Sequence, residues 1–239
     1  MIDATMSDAL HRIEVRAQDV QHAYQGGFEP QARDVVAGTS QVEPSMDGLS
    51  VVAPEGGYFV VGDIAGAPSY SRAGGFSLHD GVLRAGDGSP VLGFSMQGGA
   101  IGPLSLDRVD HALGRIADER IEKDGSVCYS RVAVDPRTGN RRIERVSIGR
   151  IALARFPVGT LPIRIDPTHV QAPRGIVPHV GIPGDGNFPM LLTHARDTGR
   201  LDLLNGLGRL QEAYLSFEAL KTARNAEGEN VKTSMGLLK

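Results

Sequence analysis

Asp107, Asp110 and His111 lie within five residues of one another, and His79 adjoins Asp80. Such groups bind a metal or act as general acid and base when further ligands or a paired carboxylate follow at a suitable spacing. None follows here, so a polar helix face and a solvated turn account for them. Cys128 is the one cysteine. It falls inside an apparent strand, 126–134, with no histidine near it in sequence, and reads as a small buried residue rather than a nucleophile. The glycines at 74, 75, 81, 86 and 88 suggest a phosphate loop, but no Gly-Lys-Ser/Thr and no helix follow them; turns explain them better. Arg137, Arg141, Arg142 and Arg145 surround a predicted hairpin, where they form an exposed charged tip or meet acidic neighbours in a polymer. The chain is therefore read as a non-enzyme with no catalytic residue, metal or cofactor.

The composition narrows the classes. In 239 residues, 41% are hydrophobic, enough for a core. Thirty-one glycines and 14 prolines suit short strands joined by turns. Tryptophan is absent, aromatics are 5% and the formal net charge is -3. That leaves no basic field or stacking platform for nucleic acid. One cysteine allows no intrachain disulfide. No run approaches the ~20 apolar residues of a membrane-spanning helix. Met1 to Leu10 contains Asp3 and Asp8 and no basic segment before an apolar block, so it is not expected to be a secretory signal peptide.

The elements that would position these residues form three zones. Met6, Leu10, Ile13, Ala17, Val20 and Tyr24 recur at spacings of four and three, as do Leu203, Leu207, Leu210, Tyr214, Phe217 and Leu220 near the end. That is the rhythm of a helix with one narrow seam. Residues 5–24 and about 200–225 are predicted helices. Between them, Tyr58-Phe-Val-Val61 and a series of short apolar pieces are separated by Asp80-Gly81 and Asp87-Gly88, both hairpin signals. A second hairpin joins 127–134 to 141–148. Residues 157–190 hold seven prolines and are expected to be irregular. The expected fold class is α+β: N- and C-terminal helices in a coiled-coil-like pair, with a β-rich, hairpin or barrel-like central domain. The expected segments are an assembly helix at 1–29, an extended connector at 30–48, the β-rich domain at 49–156, an extended arm at 157–199 and a second assembly helix at 200–239.

A twenty-residue helix loses ~1–2 kcal/mol per residue in backbone entropy. Its six seam residues return at most ~1.5–3 kcal/mol each, and its hydrogen bonds little net. Alone it is marginal. The ends are thus expected to fold on one another and on neighbouring copies, mobile in the monomer and ordered in a polymer.

These residues resemble the axial proteins of the bacterial flagellum, the rod and hook family. The segment Ala17-Gln-Asp-Val-Gln-His22 through Gln25-Gly-Gly-Phe28-Glu29 keeps the spacing of the family's Ala-x-Asn-Leu-Ala-Asn and Thr-x-Gly-Phe-Lys, with Ala17, Gly27 and Phe28 identical. It departs at Asp19, Gln21, His22, Gln25 and Glu29. Leu49 through Val61, including Gly57, Tyr58 and Phe59, is similar to Leu-Asp-Val-Ala-Ile-x-Gly-x-Gly-Phe-Phe-Val-Val. Tyr70, Arg72, Gly74 and Phe76 then follow Tyr-Thr-Arg-x-Gly-x-Phe, and Gln211-Glu-Ala-Tyr214 resembles Gln-Arg-Ala-Tyr. Ala195-Arg-Asp-Thr-Gly199 stands where the family has Leu-Glu-x-Ser-Asn-Val.

The resemblance implies a structural subunit of the basal-body rod, most like a proximal rod subunit with the distal rod close behind. It implies export from the cytoplasm by the type III apparatus without a cleaved signal, and polymerisation through the terminal helices into a hollow periplasm-spanning shaft for motility. Its partners would be copies of itself, other rod and hook proteins and the export apparatus. The alternatives are a hook-type or accessory axial subunit and, from another class, a monomeric β-rich hydrolase or carbohydrate-binding module.

Overall fold

A computed structural model describes residues 2–23, 42–62, 67–96, 99–106, 116–134, 140–198 and 203–236. Two compact units emerge. The first joins the two terminal helices; the second holds the strands.

In the strand unit every ladder is antiparallel. One sheet has six strands in the order β13 (Ile163–Arg164), β14 (His169–Gln171), β4 (Ser69–Ser71), β3 (Tyr58–Val61), β12 (Leu153–Arg155), β15 (His179–Gly181). Another has five: β8 (Ile101–Pro103), β7 (Leu92–Ser95), β11 (Arg141–Ile151), β10 (Ser126–Val134), β9 (Ile116–Ile121). Three two-stranded ladders complete it. They pair β1 (Val42–Pro44) with β17 (Ala195–Asp197), β2 (Val51–Val52) with β16 (Leu192–Thr193), and β5 (Ser77–His79) with β6 (Val82–Arg84).

The core follows from strand alternation. Phe59, Val61, Ile151 and Leu153 enter a large apolar cluster with Leu49, Val51, Phe76, Leu83, Val91 and Phe188. Their neighbours Val60, Ala152 and Ala154 face a second cluster with Tyr70, Leu92 and Val170. Both sides of β3 and β12 are covered, which is why Tyr58-Phe-Val-Val61 reads as continuous apolar sequence rather than as an alternation. The hairpin at Asp80-Gly81 has positive φ at both residues, 52° and 75°, the geometry that suits the twist of the strands it joins.

The expected fold class needs correction. Among the described residues there are only two helices, one near each end, and strands dominate everything between. The body is a set of open antiparallel sheets, not a barrel. Most strands have two to four residues, and they are distributed over five separate sheets and ladders. The stretch 157–199 is not irregular throughout either: β13 to β17 all lie in it. β13 and β15 edge the six-stranded sheet, β14 lies one strand in, and β16 and β17 belong to two-stranded ladders; the prolines fall between these strands. The described end of the 30–48 connector is β1, paired with β17.

The helical unit pairs the two ends, and one bound differs from expectation. α1 (Ile2–Gln21) and α2 (Leu203–Gly236) are formed and packed on one another in the single chain. α2 runs about eleven residues past its expected end. That extension, 226–236, holds Gly228, Asn230 and Gly236, weak helix formers, so local propensity does not announce it.

Candidate assembly surface

The helices run antiparallel. Arg16 Nη1 donates to the Arg209 carbonyl at 2.9 Å, and Arg224 Nη1 lies 3.6 Å from Met6 Sδ at the other end. The residues packed tightly between them are small. Ala9 and Ala23 are buried on α1 and its following turn, and Gly206 and Ala213 on α2. Met6, Ile13 and Val20 are half-buried beside that line, as are Leu210, Phe217 and Leu220. Asp19 is buried with them. The leucine stripes are therefore not the packed seam; the seam lies one residue back on each helix. Leu10 follows Ala9, Ala17 follows Arg16, Leu207 follows Gly206 and Tyr214 follows Ala213.

Leu10 is 46% exposed, Leu207 44% and Tyr214 56%. Ala17 is exposed too. One residue onward is a rotation of ~100° in the same sense on both helices. In an antiparallel pair, equal rotations bring the two columns to the same broad face. One side of the pair thus presents Leu10, Ala17, Leu207 and Tyr214 together. Tyr24 and the side chain of Leu203 lie outside the described residues.

The residues of the family-like motif lie in the strand unit, where they build one corner of the core. Phe59 and Phe76 meet edge to face at 5.0 Å. Tyr58 and Tyr70 each meet Phe156 the same way, at 5.4 and 5.2 Å. Arg72 is buried, donates from Nη1 to the Gly57 carbonyl at 3.2 Å and lies over the Tyr58 ring. Leu49 is in the same cluster as Phe59 and Phe76. Gly74 lies against the Val51 backbone. These side chains pack on one another in the core. Gly27 and Phe28 lie outside the described residues. No family model matches the chain, and no curated protein matches it significantly.

The remaining polar groups offer little for catalysis. Asp107, Asp110 and His111 lie outside the described residues; His79 and Asp80 are exposed at a hairpin turn. Cys128 is buried, and burial pushes its thiol up from the ordinary value, away from the reactive thiolate. The open hollow lined by Phe94, Met96, Arg150, Ile182 and Asp185 has its carboxylate engaged. Asp185 accepts from the Asn187 and Phe188 amides at 3.0 and 3.2 Å.

One cluster escaped the sequence reading. His169 is buried on β14, with Nδ1 2.9 and 2.8 Å from the two oxygens of Asp166. Its Nε2 lies 3.5 Å from Asp87 Oδ2, on the turn after β6. The hydroxyl within reach, Thr168 Oγ1 at 3.1 Å from Nδ1, also donates to Asp166 Oδ1 at 3.1 Å, and the imidazole beside it is buried. It clamps a turn to the sheet. Asp166-Pro-Thr-His169 carries a signal for it, since an Asx turn places the carboxylate on the amides two and three residues on.

Burial pushes the Asp166 carboxyl up, but bonds from the Thr168 and His169 amides and the His169 ring outweigh this and hold it below the usual value. A depressed folded pKa contributes stability that is present above the unfolded value, ~3.9, and is lost as the pH falls through the folded one. Asp166→Asn should therefore lower Tm by about 3 °C at pH 7. The gap to wild type should shrink below pH 4 in thermal melts. A constant gap from pH 7 to pH 2 would contradict the assignment.

Proposed function

We propose that this chain is a structural subunit of the bacterial flagellar rod, polymerising through its terminal helices into a hollow drive shaft. The role is mechanical and has no catalytic step. The observation that carries it is the apolar face of the helical pair, where Leu10, Leu207 and Tyr214 are each about half exposed. Further burial of such side chains is worth up to ~1.5–3 kcal/mol apiece. A contact repeated from copy to copy without a closing rotation makes a helical tube. The motif residues agree with the flagellar axial family in order and spacing. Their structural use, as core rather than as site, suits a protein whose conserved task is to hold a shape. Partners would be copies of the chain, other rod and hook proteins and the type III export apparatus, with the assembled shaft crossing the periplasm. None of the described helices is long and apolar enough to cross a membrane.

Two experiments test this. Deleting residues 1–24 should abolish incorporation into the basal body and swimming, while the strand unit keeps its β-type circular dichroism, because its core draws on no residue of α1. A deletion strain complemented to normal swimming by the truncated chain would overturn the proposal. Hydrogen exchange supplies the second. The helices pack on alanine and glycine, which bury little area, and residues 221–229 of α2 are exposed throughout. In the dilute monomer α1 and α2 amides should exchange within minutes while those of β3 and β12 stay protected. In the polymer both helices should become slow. Helices as protected as β3 in the monomer would remove the need for neighbours.

A further inference from the structure

The β10–β11 hairpin outgrows the sheet it belongs to. β7 reaches β11 only at Gly149–Ile151. From Arg141 to Ile148, β11 has β10 on one side and, among the described residues, no strand on the other. That leaves an eight-residue edge, long for an unprotected strand, with no proline in it. Beside it, Val132 pairs with Ile143 across the ladder, and Ile143 is 79% exposed. The charge there opposes that of the whole chain. The distal ladder carries Arg131, Arg141, Arg142 and Arg145 against Glu144 alone. Glu144 is held by Arg131 at 3.1 Å, and Arg145 lies 3.5 Å from Glu122. Arg141 and Arg142 remain exposed.

We propose that this edge docks an acidic, extended polypeptide segment, which adds to the sheet as a strand beside β11. The free N–H and C=O groups of β11 select an extended backbone. The arginines select carboxylates, and the Val132–Ile143 pair selects an apolar residue between them.

The test uses the full chain and a fluorescent nine-residue peptide with glutamate and valine taking turns at every second position and threonine between them, so that glutamate, valine and glutamate share one face as Arg141, Ile143 and Arg145 do. Anisotropy should report saturable binding that weakens about tenfold in the Arg141→Glu/Arg142→Glu double variant and falls as salt is raised. Amides in 142–148 should gain exchange protection. A matching lysine–valine peptide, and the acidic peptide with proline at its centre, should bind at least tenfold more weakly. Absence of binding, equal binding by the proline peptide, or protection confined to other strands would overturn the proposal. Circular dichroism of the double variant separates lost binding from lost fold. The helical face lies in the other unit, so neither result bears on assembly.

Discussion

Leu10→Asp combined with Tyr214→Asp should leave a folded monomer that does not assemble. Both side chains are about half exposed in the single chain, so aspartate at either position costs the fold little: surface changes usually stay within ~0.5 kcal/mol. In the proposed polymer the same positions would face a neighbouring copy. There each aspartate forfeits the apolar burial and brings an unpaired carboxylate into a dry contact, a combined loss of ~2–4 kcal/mol per site. At 1.4 kcal/mol per decade, two sites weaken each subunit contact by a factor of about a thousand or more. A polymer repeats that loss at every subunit, so rods should be absent rather than short. Sedimentation of the purified variant, basal bodies from the complemented strain and swimming in soft agar read the outcome at three levels. Leu210→Asp is the informative companion. Leu210 is half-buried between the helices, so its aspartate should loosen the pair itself and lower the helical signal, which the outward variants should not. Normal swimming by the Leu10→Asp/Tyr214→Asp strain would show that this face is not the assembly contact.

The helices were legible because leucine repeats at threes and fours are loud. Their packed line was not, because it is written in Ala9, Ala23, Gly206 and Ala213, whose hydrophobicity barely stands out from a polar background. Close approach of two helices favours small residues, so the tightest part of the contact is the quietest part of the sequence. The large residues one step along are louder and lie outside. The end of α2 was hidden for another reason: Gly228, Asn230 and Gly236 lower its local helix propensity. In the strand unit, turns declared themselves through Asp80-Gly81 and the short loop at Asp87-Gly88, whose Gly88 has φ 88°. The open sheets were harder. Edge strands such as β13 are two residues long and flanked by proline, and their identity comes from a distant partner rather than from local propensity. His169 was missed for a related reason: Asp166 is three residues away, but Asp87 arrives from another turn of the fold.

The largest effect on stability should come from a single methyl group. A Cβ on Gly74 would lie 1.7 Å from the Val51 carbonyl oxygen and 3.0 Å from Phe59 Cε2. The obstacle is backbone that cannot step aside. The Val51 amide donates to the Gly74 carbonyl at 2.9 Å, and Val51 is also laddered to Thr193 on β16. Phe59 is fixed edge to face against Phe76. Relief would require separating β2 from residue 74, breaking that bond and opening the core at its most crowded point. Gly74→Ala should cost ~3 kcal/mol or more, at the upper end for overpacking. That corresponds to a fall of about 10 °C in Tm for a domain of this size. Gly75 supplies the control. A Cβ there meets nothing within 4 Å, so Gly75→Ala should change Tm by less than about 2 °C. The two glycines are adjacent and look alike in sequence, yet only the first is demanded by the fold. Equal melting temperatures for the two variants would mean that Val51 does not approach residue 74 as described. The corner assembled from Leu49, Phe59, Arg72 and Phe76 would then need a different packing.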